Sequence, residues 1–355
     1  MTLLYILYAL LLLGVLITVH EFGHFIAARL TGIAVKEFSI GFGPKLIQWK
    51  SKKNDTLFSL RPIPMGGYCL FYGDTDDDPR GEKTDDPRNY NKAPVWKRML
   101  SVVCGPLMNF VLAFVVAVGL IAVYGAMPSE PFVQTVEAGM PAQAGGMMSG
   151  DLLLRVGDVD VSGSTTKEIS DLIASSGSRT LTFTVLRDGQ EQIITVTPFH
   201  DDVENRYRVG ITIGYNSTKP LPASQVIPVA WDTCVYASGA ILNALGRMVT
   251  TGEGINETAG PVGVVQLVAE QTREGGLEMF LNLMVIISIN LGLINLFPIP
   301  GLDGSRLVFM LIEAIRRKPV SQKIESGIHL AGYALLMGLM IFFTFKDVGR
   351  IFGGP

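Results

Sequence analysis

The chain is poor in charge, in cysteine and in histidine. Asp, Glu, Lys and Arg make up 17% of its 355 residues, and residues 1–19 carry no charged side chain at all. A net charge of −3 gives no basic surface of the kind that holds a polyanion, so no nucleic-acid partner is expected. The three cysteines, Cys69, Cys104 and Cys234, lie far apart and form no CxxC pair, so neither a disulfide framework nor a thiolate zinc site is favoured. A basic stretch ahead of the first apolar run is missing too, with Arg29 beyond it, so that run is not expected to be a cleavable signal peptide. What is abundant is apolar. With 48% hydrophobic residues and a mean hydropathy of +0.36, the chain reads as a membrane protein.

Hydrophobic runs divide the chain into a polytopic α-helical membrane protein with four transmembrane helices. The first covers 1–31 and ends at Thr31-Gly32, and the second covers 99–124. The third covers 279–316 and is interrupted at Pro298-Ile299-Pro300-Gly301, with a helix following, and the fourth covers 326–346. Between the first two, 32–98 reads as a membrane-associated β insertion with an acidic loop. Strands are expected at 35–40, 46–49, 56–60 and 63–71, punctuated by glycine and proline, in a small antiparallel sheet of hairpins. The acidic run from Asp74 to Asp86 reads as a solvated loop. Residues 127–216 have the composition of a soluble α+β domain, and 220–276 read as an amphipathic helical linker.

Basic residues set the expected orientation. Thirteen Lys and Arg fall in 26–98, nine in the much longer 124–278 and five in 301–328, which places the first and third loops in the cytoplasm. Residues 127–216 are then extracytoplasmic.

The stretch His20-Glu21-Phe22-Gly23-His24 closes the uncharged run. Histidines at i and i+4 share one helical face, and a glutamate at i+1 can act as general base toward a metal-held water. That chemistry is hydrolysis. Ionisable groups at the end of an apolar span are costly unless paired, metal-bound or watered. At 1.5 Å per residue His20 falls about 26–29 Å along the helix, near one boundary of the hydrocarbon core. Two histidines are an incomplete catalytic zinc site, which takes a third protein ligand. Asp303 is the best candidate, because it follows the prolyl break at matching depth. His200 and His329 stand alone and read as bystanders.

In 127–216, Gly139-Met140-Pro141-Ala142-Gln143-Ala144-Gly145 followed by Gly150-Asp151-Leu152-Leu153 resembles the PDZ domains of bacterial proteases. That resemblance implies a groove for an extended peptide or a chain end. Across the whole chain, His20–His24, Gly41-Phe42-Gly43-Pro44, Gly105-Pro106-Leu107-Met108-Asn109 and Asn295-Leu296-Phe297-Pro298-Ile299-Pro300-Gly301-Leu302-Asp303-Gly304 resemble the site-2 protease family of intramembrane zinc metalloproteases. The resemblance is closest to bacterial members with a single PDZ domain. It implies that His20, His24 and Asp303 bind Zn2+ and that Glu21 is the catalytic base. It also implies that Asn290, Asn295, Pro298 and Pro300 line the place where a substrate helix unwinds, and that the Gly41–Gly43 hairpin and the 58–71 strand hold the substrate extended. Asn109 is a further substrate-binding candidate, with helix contact as its alternative reading. Expected partners are the bilayer, single-span membrane substrates such as anti-sigma factors or signal-peptide remnants, and a peptide at the PDZ-like domain. The expected location is the bacterial cytoplasmic membrane. Ser305 departs from the family by standing where a second glycine is common, after the ligand rather than in its place. A non-catalytic membrane adaptor that binds peptides is the alternative, and the intact Glu21 argues against it.

Overall fold

The computed structural model describes residues 2–52, 54–73, 87–125, 127–128, 130–201, 206–215, 218–219, 221–252 and 259–353; the acidic run 74–86 lies outside them. Two compact units emerge, Met1–Gly119 with Ala230–Pro355, and Leu120–Val229. Among the described residues, four helices are long and apolar enough to cross a membrane: Leu3–Thr31, Val95–Tyr124, Pro261–Leu296 and Lys323–Arg350.

The first unit opens with helix α1 (Thr2–Thr31), uninterrupted because its run of Leu, Ile, Val and Ala contains no proline. Four strands follow: β1 (Val35–Phe42), β2 (Ile47–Lys50), β3 (Leu57–Leu60) and β4 (Ile63–Phe71). They form one sheet in the order β2-β3-β1-β4. This corrects the expected antiparallel sheet of hairpins. β2 and β3 are an antiparallel hairpin, but β3 then lies parallel to β1, with Phe38 opposite Phe58 and Ser39 opposite Ser59. β4 pairs antiparallel on the other side of β1, with Phe38 opposite Cys69 and Ser39 opposite Tyr68. Phe38 and Phe58 turn toward α1, where their rings meet Phe25 at 5.4 and 5.7 Å. The other side of the sheet carries Glu37, Ser39, Ser59 and Arg61, joined by hydrogen bonds.

Helix α2 (Val95–Tyr124) starts four residues ahead of the expected span, with Trp96, Lys97 and Arg98 in its first turn, and contains Pro106. The second unit begins within it. Its strands are β5 (Met127–Pro128), β6 (Pro131–Val136), β7 (Leu152–Val156) and β8 (Val159–Asp160), with a short helix α3 (Pro141–Ala144) between β6 and β7. Helix α4 (Thr166–Ser175) follows. Thr165 caps it by accepting from the Glu168 N–H while Glu168 reaches back to the Thr165 N–H, a capping box. Strands β9 (Leu181–Arg187), β10 (Gln190–Val196), β11 (Phe199–Asp201), β12 (Arg206–Arg208), β13 (Ile211–Tyr215) and β14 (Thr218–Lys219) complete it. The main sheet runs β10-β9-β7-β6-β13, with β8 on β7. Its own core holds Val133, Leu153, Ile169, Ile173, Phe183 and Val185.

Helix α5 (Ala223–Thr250) leads back to the first unit. Helix α6 (Pro261–Leu296) begins at Gly260-Pro261, well before the expected span, because the helix continues on both sides of a single joint: Gly276 has φ 62° and ψ −146°. Only the part beyond that joint corresponds to the span expected from 279. Ala9, Leu12 and Leu16 of α1 pack on Val268, Leu283 and Met284 of α6. Helix α7 (Asp303–Arg316) and helix α8 (Gln322–Gly353) close the chain. The buried Asp347 of α8 accepts from the N–H groups of Gly260 and Gly263 at 3.1 and 2.8 Å, capping the start of α6.

Candidate metal centre and its cleft

Because α1 is an unbroken helix, His20 and His24 stand one turn apart on the same face, with Nε2 atoms 3.2 Å apart and both residues buried. Asp303 reaches them from the break between α6 and α7. Phe297 precedes Pro298 and takes an extended conformation (φ −67°, ψ 146°), which ends α6. Gly301, at φ 97°, reverses the chain, and α7 restarts at Asp303. Gly304 lies against the terminal carbonyls of Leu296 and Phe297, where a Cβ has no room. The first turn of α7 thus sits directly on the end of α6 and turns the Asp303 carboxylate inward. Its Oδ2 lies 3.0 Å from His20 Nε2 and 3.3 Å from His24 Nε2.

The rings are fixed from behind. His24 Nδ1–H donates to the Ser101 carbonyl at 2.9 Å, which leaves the Nε2 lone pair facing Asp303. His20 Nδ1 is 3.2 Å from the side-chain amide of Asn109. An amide turned by 180° presents its oxygen instead; with Asn109 Oδ1 toward Nδ1–H, the His20 Nε2 lone pair also points inward. Asn109 is fully buried, and its carbonyl accepts from Ser288 at 2.8 Å. α1 and α2 approach so closely because both are glycine at the contact. A Cβ on Gly23 would strike the Cys104 carbonyl, and one on Gly105 would strike the His24 ring.

With the Asn109 amide so turned, two imidazole nitrogens and one carboxylate oxygen converge with no N–H aimed among them, and Asp303 Oδ2 is buried without a further hydrogen-bond donor. Three N and O donors are the set a catalytic zinc takes, so these residues fit a zinc ion. Glu21 Oε belongs to the same group: the ligand atoms of His20, Glu21 and His24 lie within 4.8 Å of one another.

The site opens into a cleft of about 390 Å³, lined by Glu21, Tyr68, Cys69, Asn295, Arg306 and Tyr333 among others. β4 is the outer strand of its sheet, and the Cys69 N–H donates to the Glu21 carboxylate. Gly67 lies beside the same side chain, with its Cβ position 3.5 Å from Glu21 Cγ. Of the residues expected to bind substrate, Asn295 lines the cleft, with its amide N–H donating to Leu291 O at 2.9 Å. Asn290 is half-buried on α6. Pro298 and Pro300 shape the break, and the carbonyl of Pro300 rests against Gly332 of α8. Asn109 stands behind His20 rather than in the cleft. Gly41 and Gly43 lie at the far end of β1. Both have positive φ values, 84° and 102°. Tyr68 belongs to the strand expected to hold substrate, whereas Arg306 and Tyr333 are additions to the expected set. Arg306 had a readable signal, since three residues after Asp303 is the same face of α7.

The sequence profile of peptidase family M50 matches residues 8–339. The chain is 35% identical to mll0638 of Mesorhizobium japonicum over 360 residues, covering 96% of this chain and 97% of that one. It is 31% identical to the metalloprotease MmpA of Caulobacter vibrioides, over 96% of this chain and 94% of the relative. It is 29% identical to the zinc metalloprotease RasP of Oceanobacillus iheyensis, over 96% and 98%. A solved PDZ domain of an SdrC-like protein from Listeria monocytogenes aligns at 18% identity with a TM-score of 0.22, over 25% of this chain and 90% of that one. A profile that spans nearly the whole chain sets aside the non-catalytic adaptor: the chain belongs to peptidase family M50, the site-2 proteases, and is a multi-pass membrane zinc metalloprotease.

Proposed function

We propose that this protease cuts single-span membrane proteins within the bilayer, near its cytoplasmic face, with His20, His24 and Asp303 holding the zinc and Glu21 as the base. The observation that carries this reading is the meeting of Asp303 Oδ2 with both Nε2 atoms at 3.0 and 3.3 Å, where α1 meets the end of α6, two helices apolar enough to span. Bound there, zinc supplies Lewis-acid polarisation of the scissile carbonyl and lowers the pKa of water. Glu21 faces the cleft, accepts the proton of the attacking water and passes it to the leaving amine. A transmembrane helix hides its peptide bonds in its own hydrogen bonds, so it must unwind before it is cut. The outer edge of β4 offers backbone partners by strand addition, and Asn295 offers an amide at the cleft wall. Gly41 and Gly43, with Asn290, Pro298 and Pro300, complete the proposed set that holds the unwound substrate. The sheet's exposed apolar side chains, Phe42, Leu46, Ile47, Trp49 and Ile63, support its association with the membrane.

Substrates of the anti-sigma factor or signal-peptide-remnant kind fit this reading, cut here after an earlier cut outside the membrane. The distribution of basic residues supports an extracytoplasmic position for the Leu120–Val229 unit in a bacterial cytoplasmic membrane. Its order of strands and helices supports a PDZ-like module that binds peptides or chain ends.

The test is cleavage of a tagged single-span substrate in proteoliposomes. Glu21→Gln is expected to keep zinc and lose at least about a hundredfold in rate, and chelation to abolish the remainder. Unchanged cleavage by Glu21→Gln removes Glu21 as base, and full zinc affinity in Asp303→Ala removes Asp303 as ligand.

A further inference from the structure

The link between β3 and β4 is two residues, Arg61 and Pro62, yet it carries the chain from one side of β1 to the other. It does so by passing directly over Gly41. The Arg61 N–H donates to the Ile40 carbonyl at 2.9 Å, and a Cβ on Gly41 would lie 2.6 Å from Arg61 O and 2.8 Å from Ile63 O. No other residue fits under the crossing. From this pivot the Arg61 side chain folds back over the sheet. Nε donates to Ser39 Oγ at 3.0 Å and Nη1 to the Gly43 carbonyl at 2.7 Å. Nη2 donates to Glu37 Oε1 at 3.1 Å and to the Tyr68 hydroxyl at 2.6 Å. Ser59 adds a bond to the same Glu37 oxygen at 2.6 Å.

One guanidinium thus ties β1, the turn after it and β4 together, with side-chain exposures of only 16% for Arg61 and 12% for Glu37. A largely buried ion pair is a poor device for stability alone, because desolvation offsets the attraction. A planar fork with fixed donor directions is a good device for setting geometry. What depends on that geometry is the base. Tyr68 lines the cleft, the next residue donates its N–H to Glu21, and the preceding one packs on Glu21 Cγ.

We propose that Arg61 is a positioning residue for the reaction: through Tyr68 it sets the height and register of β4 against Glu21, and so fixes which bond of an extended substrate lies at the base. This rests on the reading of β4 as the strand that receives substrate. Arg61→Lys keeps the charge but cannot reach four acceptors, and Arg61→Gln removes the charge.

The experiment uses the full chain in proteoliposomes with a single-span reporter, recording zinc per chain, KM, kcat and the cut position by mass spectrometry. Both variants are expected to hold zinc as the wild type does, to raise KM about tenfold with kcat little changed, and to add cuts at neighbouring bonds. Wild-type KM and a single unshifted cut in both variants overturn the proposal. If Arg61→Gln fails to fold because Glu37 is left buried and unpaired, the Glu37→Gln/Arg61→Gln pair takes its place under the same criteria. If the zinc-loaded wild type cuts no single-span reporter, the functional reading fails instead. Amide exchange at Tyr68 and Cys69 then decides: faster exchange in Arg61→Lys sustains the role of Arg61, and unchanged exchange overturns it.

Discussion

Asn109 holds His20 from behind, its side-chain amide 3.2 Å from Nδ1, while its own backbone carbonyl is held by Ser288 of α6. A partner on the far nitrogen of a ligand histidine fixes the tautomer and the ring direction. Asn109→Ala is expected to weaken zinc binding by about 10- to 100-fold while leaving every ligand in place. Competition against a chelator of known affinity measures this. Unchanged affinity would leave Asn109 with a packing role only.

The His24 ring lies against Gly105 with no space for a methyl group between them. Gly105→Ala therefore has to push the ring, or α2, away from its present position. The expected cost is about 1–3 kcal/mol of stability, together with lost zinc, although no chemical group has been removed. Thermal unfolding in detergent and zinc content per purified chain test both halves. A variant of equal stability and full zinc content would mean that the helices separate without cost.

Asp151 is 1% exposed and bonded by Arg187 at 2.6 and 2.7 Å, with a further bond of 2.8 Å from the Met148 N–H. Burial pushes its pKa up, but the Arg187 and Met148 hydrogen bonds outweigh burial, and the carboxyl ends below the usual aspartate range. A depressed folded-state pKa contributes stability that is fully present above the unfolded value near 3.9, and that stability is lost as pH falls through the folded value. Arg187→Ala is expected to destabilise the Leu120–Val229 unit by about 2–3 kcal/mol at pH 7, and by less below pH 4, where the lone carboxylate takes up a proton. Hydrogen exchange in β7 and β9, corrected for intrinsic rates, follows this. A penalty that stays constant with pH would detach it from Asp151.

The features written along single helices and strands were legible in the sequence. The i,i+4 histidines, the prolyl break before Asp303 and the four strand segments between 35 and 71 each announce themselves by spacing or punctuation. The arrangement of those strands did not. Alternation says which face a residue occupies but not which strand lies beside it, so the parallel pairing of β1 with β3 was hidden. The same limit concealed the partners of Arg61, which reads in sequence as one more basic loop residue. Asp347 likewise shows no local reason to be buried; its reason is the start of α6, far away in the chain. Hydropathy marked the apolar part of α6 beyond Gly276, and the more polar helix before it fell within the expected amphipathic linker, but nothing local showed that the two continue as one across Gly276.

An entire folded unit, Leu120–Val229, separates His20 and His24 from Asp303 along the chain. With the ligand set proposed above, a ribosome that has made α1, α2 and the whole Leu120–Val229 unit has still made no complete zinc site. The proposed site is therefore a product of tertiary packing: it exists only where α1 and the break between α6 and α7 have come together.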